Sequence, residues 1–187
     1  MIFSPKPFER YIAALRSSVQ HSVLKNGTNN RHAETLKKIN IAEALTYKDQ
    51  LSAINITEFA DSLLGTAQIL FMQKGKKLKV TLCGSGVYSV NKRLLTALIL
   101  ELAYCDAANI SVTSGEPRTV ITAGSLSQIG AVPKLAKAMN ADYLFEKKSG
   151  KIIIRIPTAE TELKPVKTEN EWYYLLDEFS PVNIWLK

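Results

Sequence analysis

Apolar residues recur at helical spacing in the first part of the chain. One stripe within residues 6–25 consists of Phe8, Tyr11, Ile12, Leu15, Val19 and Val23. Steps of three and four residues place such side chains on one face of a helix. Residues 26–30, Asn-Gly-Thr-Asn-Asn, tolerate turn geometry and interrupt the pattern. The pattern therefore predicts a first helix over residues 6–25.

A second helical stretch begins near Arg31, with Asn30 as its predicted N-cap. Its apolar positions are Leu36, Ile39, Ala42 and Leu45. The short connection between the two helices predicts an antiparallel hairpin. Because two helices alone bury little apolar surface, we expect the hairpin to pair with a second copy in a four-helix bundle, which makes the protein a homodimer.

From residue 55 onward the pattern alternates between helices and strands. Asn55 followed by Glu58 resembles a capping box, and Pro133 is tolerated only in the first turn of a helix. The predicted elements are a helix from residue 55, a strand at 77–82, a helix at 91–103, strands at 110–113 and 118–122, a helix at 129–139, and strands at 142–147 and 151–156. This order predicts an α/β sandwich with helices on one face of a mixed sheet. The fold class is therefore α+β, an N-terminal antiparallel helical hairpin followed by an α/β sandwich.

Residues 158–187 are predicted to form a tail. Its first part is polar, and Trp172, Leu175, Leu176 and Phe179 then lie at helical spacing. A short helix that packs on the preceding domain and a segment that docks on a partner both fit this pattern. The predicted organisation is thus a hairpin at 1–54, a sandwich at 55–157 and a tail at 158–187.

Composition places the chain among ordinary globular proteins. Of its 187 residues, 46% are hydrophobic and 22% are charged, which offsets the cost of ordering the chain and excludes most disordered classes. No run reaches the roughly 18 consecutive apolar residues of a membrane span, and the first residues lack a secretory pattern. Two cysteines, Cys83 and Cys105, are too few for a disulfide framework. We expect a reduced, cytoplasmic protein.

The formal net charge of +7 would suit nucleic acid or an acidic protein surface. The basic residues are dispersed, and the densest groups, within residues 74–79 and 147–151, fall at predicted turns. Aromatic residues do not alternate with these lysines as they do on single-strand-binding surfaces. Solvated turns are the simpler interpretation, and we do not expect nucleic acid as a partner.

The order of elements over residues 8–157 resembles a known arrangement. Its best segment is the leucine-rich helix from Val90 to Cys105, and its second runs from Met139 to Asp142 and on through a hairpin to Ile154-Arg155-Ile156-Pro157. Both are similar to the core of bacterial sensor histidine kinases, in which a dimerisation and phosphoacceptor hairpin precedes a Bergerat-type ATP-binding domain. The resemblance implies two-component or phosphorelay signalling, with a response regulator or a sensor kinase as partner.

The nucleotide-site positions that the resemblance implies are degenerate. The second of two asparagines in the family's helix helps to hold Mg²⁺, which requires oxygen ligands, and here that position is the soft thiol of Cys105. The first position is Glu101, which could still order a water or a metal ion. Thr122 stands where an adenine-reading aspartate should precede Gly124, and it cannot supply a charge-assisted hydrogen bond. The second glycine box retains only Gly130.

These departures predict that ATP does not bind usefully. Removing one partner of a buried charged contact costs about 2–5 kcal/mol. Two losses of roughly 2–3 kcal/mol each weaken binding by about three to four decades. Only five residues separate Gly124 from Gly130, too few for the family's long mobile lid. We therefore expect no cofactor, with Mg-ATP as the alternative.

The phosphoacceptor position of the hairpin is altered too. Counting from Tyr11 places Ser17 where the family has its histidine, and His21 lies one helical turn farther along the same face. A neutral imidazole is a good phosphoryl acceptor, but His21 is followed by Ser22 and lacks an acidic or amide neighbour to orient it. A solvated helix histidine is the simpler interpretation of His21, and a surface residue that of His32.

The leading functional hypothesis is a non-catalytic histidine-kinase-like interaction protein that dimerises through its hairpin and docks a response regulator or a sensor kinase. One alternative is a phosphotransferase that resembles the sporulation phosphotransferase and relays phosphate through His21. Another is an atypical active sensor histidine kinase. Cys105 is most simply a core residue, and Gly84-Ser85-Gly86 a tight turn.

Overall fold

The computed structural model describes residues 7–27 and 29–186, and it begins with the predicted helical hairpin. Helix α1 spans Pro7–Asn26 and helix α2 spans Asn30–Thr46. The two helices are antiparallel, since Arg16 of α1 pairs with Glu43 of α2 while Ser22, farther along α1, contacts His32 near the start of α2.

The N-cap of α2 is Asn29, so the prediction of Asn30 was wrong by one residue. The Asn29 side chain accepts a hydrogen bond from the His32 backbone N–H at 2.9 Å. Its backbone is extended, with φ −129° and ψ 166°, as an N-cap requires, whereas Asn30 is already helical.

The α/β sandwich that follows confirms the predicted fold class. Its elements are β1 (Ser52–Asn55), α3 (Ile56–Gln73), β2 (Lys79–Cys83), β3 (Val87–Val90), α4 (Lys92–Tyr104), β4 (Asn109–Thr113), β5 (Arg118–Gly124), α5 (Val132–Ala138), β6 (Asp142–Glu146) and β7 (Lys151–Pro157). Strands β1 and β3 were not predicted. Each has four residues, too few to show an alternating pattern, and they pair with each other in a small antiparallel sheet.

The main sheet has five strands in the order β2-β4-β5-β7-β6. Strands β2 and β4 are parallel and the other neighbouring pairs are antiparallel, so the sheet is mixed, as expected. Alternate residues of the central strands are buried against the helices, namely Ile110, Val112, Ile121, Ala123, Ile152 and Ile154. The residues between them lie on the other face and are more exposed.

Side-chain caps start the two longest helices of the sandwich. Asn55 accepts from the Glu58 backbone N–H, which is half of the predicted capping box, and Asn91 accepts from the Leu94 N–H at 2.9 Å. The Asn91 amide also donates to the Tyr47 carbonyl, which ties the end of the hairpin to the start of α4. Most of α4 is buried, because α2, α3, α5 and α7 pack against it.

The tail folds back on the rest of the chain. Residues 159–166 run along the small sheet, where the Ser89 N–H donates to the Ala159 carbonyl and the Val166 N–H donates to the Ala53 carbonyl. Two short helices follow, α6 (Glu171–Leu176) and α7 (Pro181–Leu186). Helix α7 was not predicted, and it packs against α2, α3 and α4.

The predicted apolar stripe of the tail does not form one buried face. Trp172 and Leu176 are 69% and 82% exposed, whereas Tyr174 is only 5% exposed. Helix α6 turns Tyr174 toward the rest of the molecule, and it ends at Leu176, before Phe179. Among the described residues, no helix combines the length and apolarity that a membrane span requires.

Candidate functional site

The six predicted site residues fall in three separate places. Glu101, Cys105 and Gly130 meet beneath the C-terminal helix. Thr122 and Gly124 alternate with the buried residues of β5 and lie toward the outer face of the sheet. His21 is on the exposed side of α1. The structure thus does not assemble the full set that the sequence suggested.

Glu101 is the centre of the buried group and is 2% exposed. Its Oε1 accepts a hydrogen bond from the Ala131 backbone N–H, and its Oε2 accepts one from the Trp185 indole N–H, both at 3.0 Å. Lys37 Nζ lies 3.2 Å from the same Oε2. The carboxylate of α4 is therefore satisfied by groups from α2, α7 and the segment before α5.

Lys37 is a buried lysine, 8% exposed, and its ammonium has a second partner. It lies 3.2 Å from the centre of the Tyr104 ring, close enough for a cation–π contact. The Tyr104 hydroxyl donates to Glu34 of α2 at 2.8 Å, and this hydrogen bond, followed by burial, raises the pKa of Tyr104 to about 12. The second hairpin helix is thus held to α4 by two adjoining polar contacts.

Gly130 permits the close approach of the segment before α5 to this carboxylate. Its φ is +43°, and a Cβ at this position would lie 2.2 Å from Glu101 Oε1. The Ala131 N–H could not reach Glu101 in the same way past a side chain at residue 130. Gly130 therefore helps to satisfy a buried carboxylate, because the absence of a side chain lets the Ala131 N–H approach Glu101.

Cys105 follows α4 as its C-cap and is 1% exposed. Burial, and then the nearby Glu101 carboxylate, raises the pKa of its thiol to about 11, so the sulfur is protonated near neutral pH. A buried, protonated thiol packs as a small apolar group, in agreement with the core role expected from the sequence. Among residues 7–27 and 29–186, no group of three His, Cys, Asp or Glu side chains is placed to hold a metal ion.

Thr122 and Gly124 have only local partners on the sheet. The Thr122 hydroxyl shares a hydrogen bond of 2.7 Å with Ser111 of the neighbouring strand. Gly124 lies against the Asn109 side chain, which a Cβ would approach to 2.9 Å. The residue between them, Ala123, is the one buried toward the helices, at 1% exposure, and it carries no polar side-chain atom.

Two grooves of about 420 Å³ each adjoin Trp185. The first is bordered by the start of α2, the ends of α3 and α4, and α7, and its charged side chains include Glu34, Lys37, Lys76 and Asp106. Lys76 and Asp106 form an exposed ion pair. The second lies between α1, α2, α4 and the tail, and its hairpin wall is the network of Arg16, Asn40 and Glu43.

The two histidines have different surroundings. His21 is exposed, as is Ser17, one turn earlier on α1. His32 is half-buried, and its Nε2 lies 3.2 Å from the Ser22 hydroxyl of α1, so the expectation of a surface residue was wrong. The tight packing of α1 on the start of α2 accounts for that burial.

Sequence reasoning missed Lys37 and Trp185, the two side chains that bind Glu101. Lys37 looked like an ordinary helix lysine, and no local pattern marks it as buried. For Trp185 the available signal was the apolar run Val-Asn-Ile-Trp-Leu at residues 182–186, which is long enough for one or two buried turns.

No protein-family model and no curated protein matches the chain. Among solved structures, full-length ShkA in complex with AMPPNP superposes with a TM-score of 0.52 at 11% identity, covering 82% of this chain and 45% of that one. The chain therefore spans less than half of ShkA. At this identity the likeness shows the fold, which is that of a histidine-kinase core.

Two further structures are similar at lower TM-scores. The histidine kinase AdeS of Acinetobacter baumannii gives 0.48 at 9% identity, with 82% of this chain and 98% of that chain covered. The cytoplasmic segment of histidine kinase QseC gives 0.45 at 13% identity, with 86% and 100% covered.

Proposed function

We propose that this protein is a non-catalytic, histidine-kinase-like interaction protein of two-component or phosphorelay signalling. One observation carries the proposal: both oxygens of Glu101, at a position that the resemblance assigns to nucleotide and metal binding, are bound by the chain's own groups. A carboxylate in this state has little capacity left to order a magnesium ion or its water.

The surroundings of Glu101 add to this argument. Cys105 offers a buried protonated thiol, which is a poor ligand for Mg²⁺. The buried residue of β5 nearest to the predicted adenine position is Ala123, which cannot hydrogen-bond a base through its side chain. Mg-ATP binding would require the buried Glu101 carboxylate to lose its contacts with Trp185 and Lys37. We therefore expect no nucleotide cofactor.

A second copy of this chain is the first proposed partner. The hairpin keeps Phe8 and Tyr11 53% and 63% exposed, and it leaves Leu15, Ile41 and Leu45 only partly buried. Apolar side chains on both helices of a hairpin are what a four-helix bundle buries between two copies. The hairpin is therefore the proposed dimerisation element.

A response regulator or a sensor kinase is the second proposed partner. The support is indirect, and it consists of the histidine-kinase fold and the net charge of +7. A basic protein associates faster with an acidic partner surface, and the gain falls with ionic strength. The acidic phosphorylation pocket rim of a receiver domain has the complementary sign.

Phosphate-transfer assays test the absence of catalysis. The full chain is incubated with γ-labelled Mg-ATP and, separately, with receiver domains phosphorylated by acetyl phosphate. We expect no label on this protein in either reaction. Label from ATP would overturn the proposal in favour of an atypical active kinase.

A phosphotransferase acting through His21 is the second candidate, and the exposure of His21 on α1 favours it. An exposed imidazole can be reached by a receiver's phosphoryl group. In this case label would pass from the phosphorylated receiver to this protein, and His21→Ala would abolish the transfer. His32→Ala is the matched control, because His32 is half-buried between the two helices and should not carry phosphate.

A further inference from the structure

Helix α7 occupies the junction between the hairpin and the sandwich. It packs against α2 on one side and against α3 and α4 on the other. Four of its apolar side chains, Val182, Ile184, Trp185 and Leu186, are at most 5% exposed. The attachment of the hairpin to the sandwich therefore includes a layer that the tail supplies.

One buried carboxylate joins these elements. Glu101 Oε2 receives both the Trp185 indole N–H and the Lys37 ammonium, so the α7 contact and the α2 contact share one acceptor atom. Departure of Trp185 would leave that oxygen short of a donor and would admit water to the pair with Lys37. Water weakens such a pair strongly, because the surrounding dielectric constant rises. The docking of α2 is thus coupled to the docking of α7.

Side-chain hydrogen bonds link the two tail helices to each other. The Asn183 side-chain amide of α7 donates to the backbone carbonyls of Tyr174, Leu175 and Asp177, at the end of α6. The Ser180 hydroxyl donates to the Tyr174 carbonyl as well. Helices α6 and α7 therefore form one small unit.

This unit is built so that it can leave without disturbing the sheet. Each helix has only six residues, which is too short for helix formation in isolation. Residues 162–167, which precede the unit, are exposed. Of the α6 side chains that the structure describes, only Tyr174 is deeply buried, while Trp172 and Leu176 face solvent. Neither helix takes part in the strand pairing of the five-stranded sheet.

We propose that the α6–α7 unit is a releasable latch. Docked, it holds α2 against α4 through Trp185, Glu101 and Lys37, and released, it frees the hairpin to change its position while the sandwich stays folded. This goes beyond the proposed function, because it concerns how the hairpin is controlled and holds whether or not the protein transfers phosphate.

Native-state hydrogen exchange of the unmodified chain provides the first test. Amides of α7 and α2 should exchange in one common opening, with protection factors at least tenfold lower than those of β5 and β7. Equal protection of α7, α2 and the two strands would overturn the proposal, since the tail would then be an ordinary part of the core.

A distance measurement on variants provides the second test. One spin label is attached at Ser17→Cys on α1 and the other at the native Cys83, which is exposed, while Cys105 is 1% exposed and stays unlabelled. Glu101→Gln and Trp185→Phe should each broaden the distance distribution and raise α2 exchange at least tenfold, with β5 and β7 unchanged. Trp172→Phe is the matched control and should change neither.

Two results would contradict the latch in this experiment. One is an unchanged distance distribution in both variants, which would mean that α7 does not hold the hairpin. The other is an equal rise of exchange in α2, β5 and β7, which would mean that the substitutions weaken the whole fold. Because only folded protein gives native exchange in β5 and β7, a variant that fails to fold gives the second result.

Discussion

The buried group around Glu101 and the outer side of α1 differ in whether solvent and ligands can reach them. The resemblance assigns nucleotide binding to the first region and phosphate acceptance to the second. Glu101 is 2% exposed and every partner it has comes from this chain, whereas Tyr11 is 63% exposed and His21 faces solvent. The carboxylate at the position that the resemblance assigns to nucleotide binding is thus enclosed by packing, whereas the outer side of α1 is open to solvent.

Replacement of Glu101 should have the largest effect. Glu101→Leu leaves the Lys37 ammonium buried without its carboxylate, which costs about 3–5 kcal/mol of the free energy of unfolding. Urea denaturation measures the loss. The double variant Glu101→Leu/Lys37→Met should recover most of it, because an apolar pair can replace a buried ion pair. A single variant as stable as the parent would mean that Glu101 is not the centre of this contact.

A methyl group at residue 130 tests how tightly the buried region is closed. Gly130→Ala places a Cβ that would lie 2.2 Å from Glu101 Oε1 in the present backbone. Gly75→Ala is the matched control, since Gly75 also has a positive φ, +68°, but nothing lies within 4 Å of its added Cβ. The control should lose about 1 kcal/mol to backbone strain, and Gly130→Ala about 1–2 kcal/mol more. Equal losses in thermal denaturation would indicate an open region around Glu101.

A charge on the exposed side of α1 tests the other region. Tyr11→Asp should weaken self-association at least tenfold without lowering the free energy of unfolding of the monomer, because Tyr11 is largely exposed. Sedimentation equilibrium provides the dissociation constants. Ser17→Asp is the control, as Ser17 is exposed on α1 but outside the apolar stripe. A parent chain that stays monomeric throughout would refute the proposed dimer.

Alkaline pH should give a smaller effect confined to the buried region. The pKa of Cys105 is raised by burial from its ordinary value of 9.0 to about 11, so the unfolded chain ionises first as pH rises. The free energy of unfolding should therefore be unaffected below pH 9 and fall by about 1–2 kcal/mol between pH 9 and pH 11. Cys105→Ala should make this decline shallower in urea denaturation at several pH values. An identical decline in the variant would show that other groups cause it.

The sequence allowed the periodic elements to be predicted because their own patterns specify them. Helices α1, α2 and α4 carry apolar stripes over more than two turns, and residues 77–82, which include most of β2, alternate strictly. The short strands β1 and β3 and the six-residue α7 lack such length, and tertiary contacts decide them. The residue pattern of a single segment carries no information about those tertiary contacts.

The site was harder to predict for two physical reasons. Successive side chains of a strand point to opposite faces of the sheet. Thr122 therefore lies toward the outer face, although its neighbour Ala123 is buried. The partners of Glu101 are distant in sequence, and Trp185 is 84 residues away. Pairing over such a distance depends on how the tail returns across the molecule, which no motif records.

Calorimetric titration with Mg-ATP tests whether the position of Glu101 still binds a nucleotide. The full chain is titrated at nucleotide concentrations below one millimolar, and Glu101 should remain bound to Trp185, Lys37 and the Ala131 N–H throughout. We expect heats no larger than those of dilution. A saturable isotherm in this range would contradict this expectation, because it would show that the position of Glu101 still binds a nucleotide.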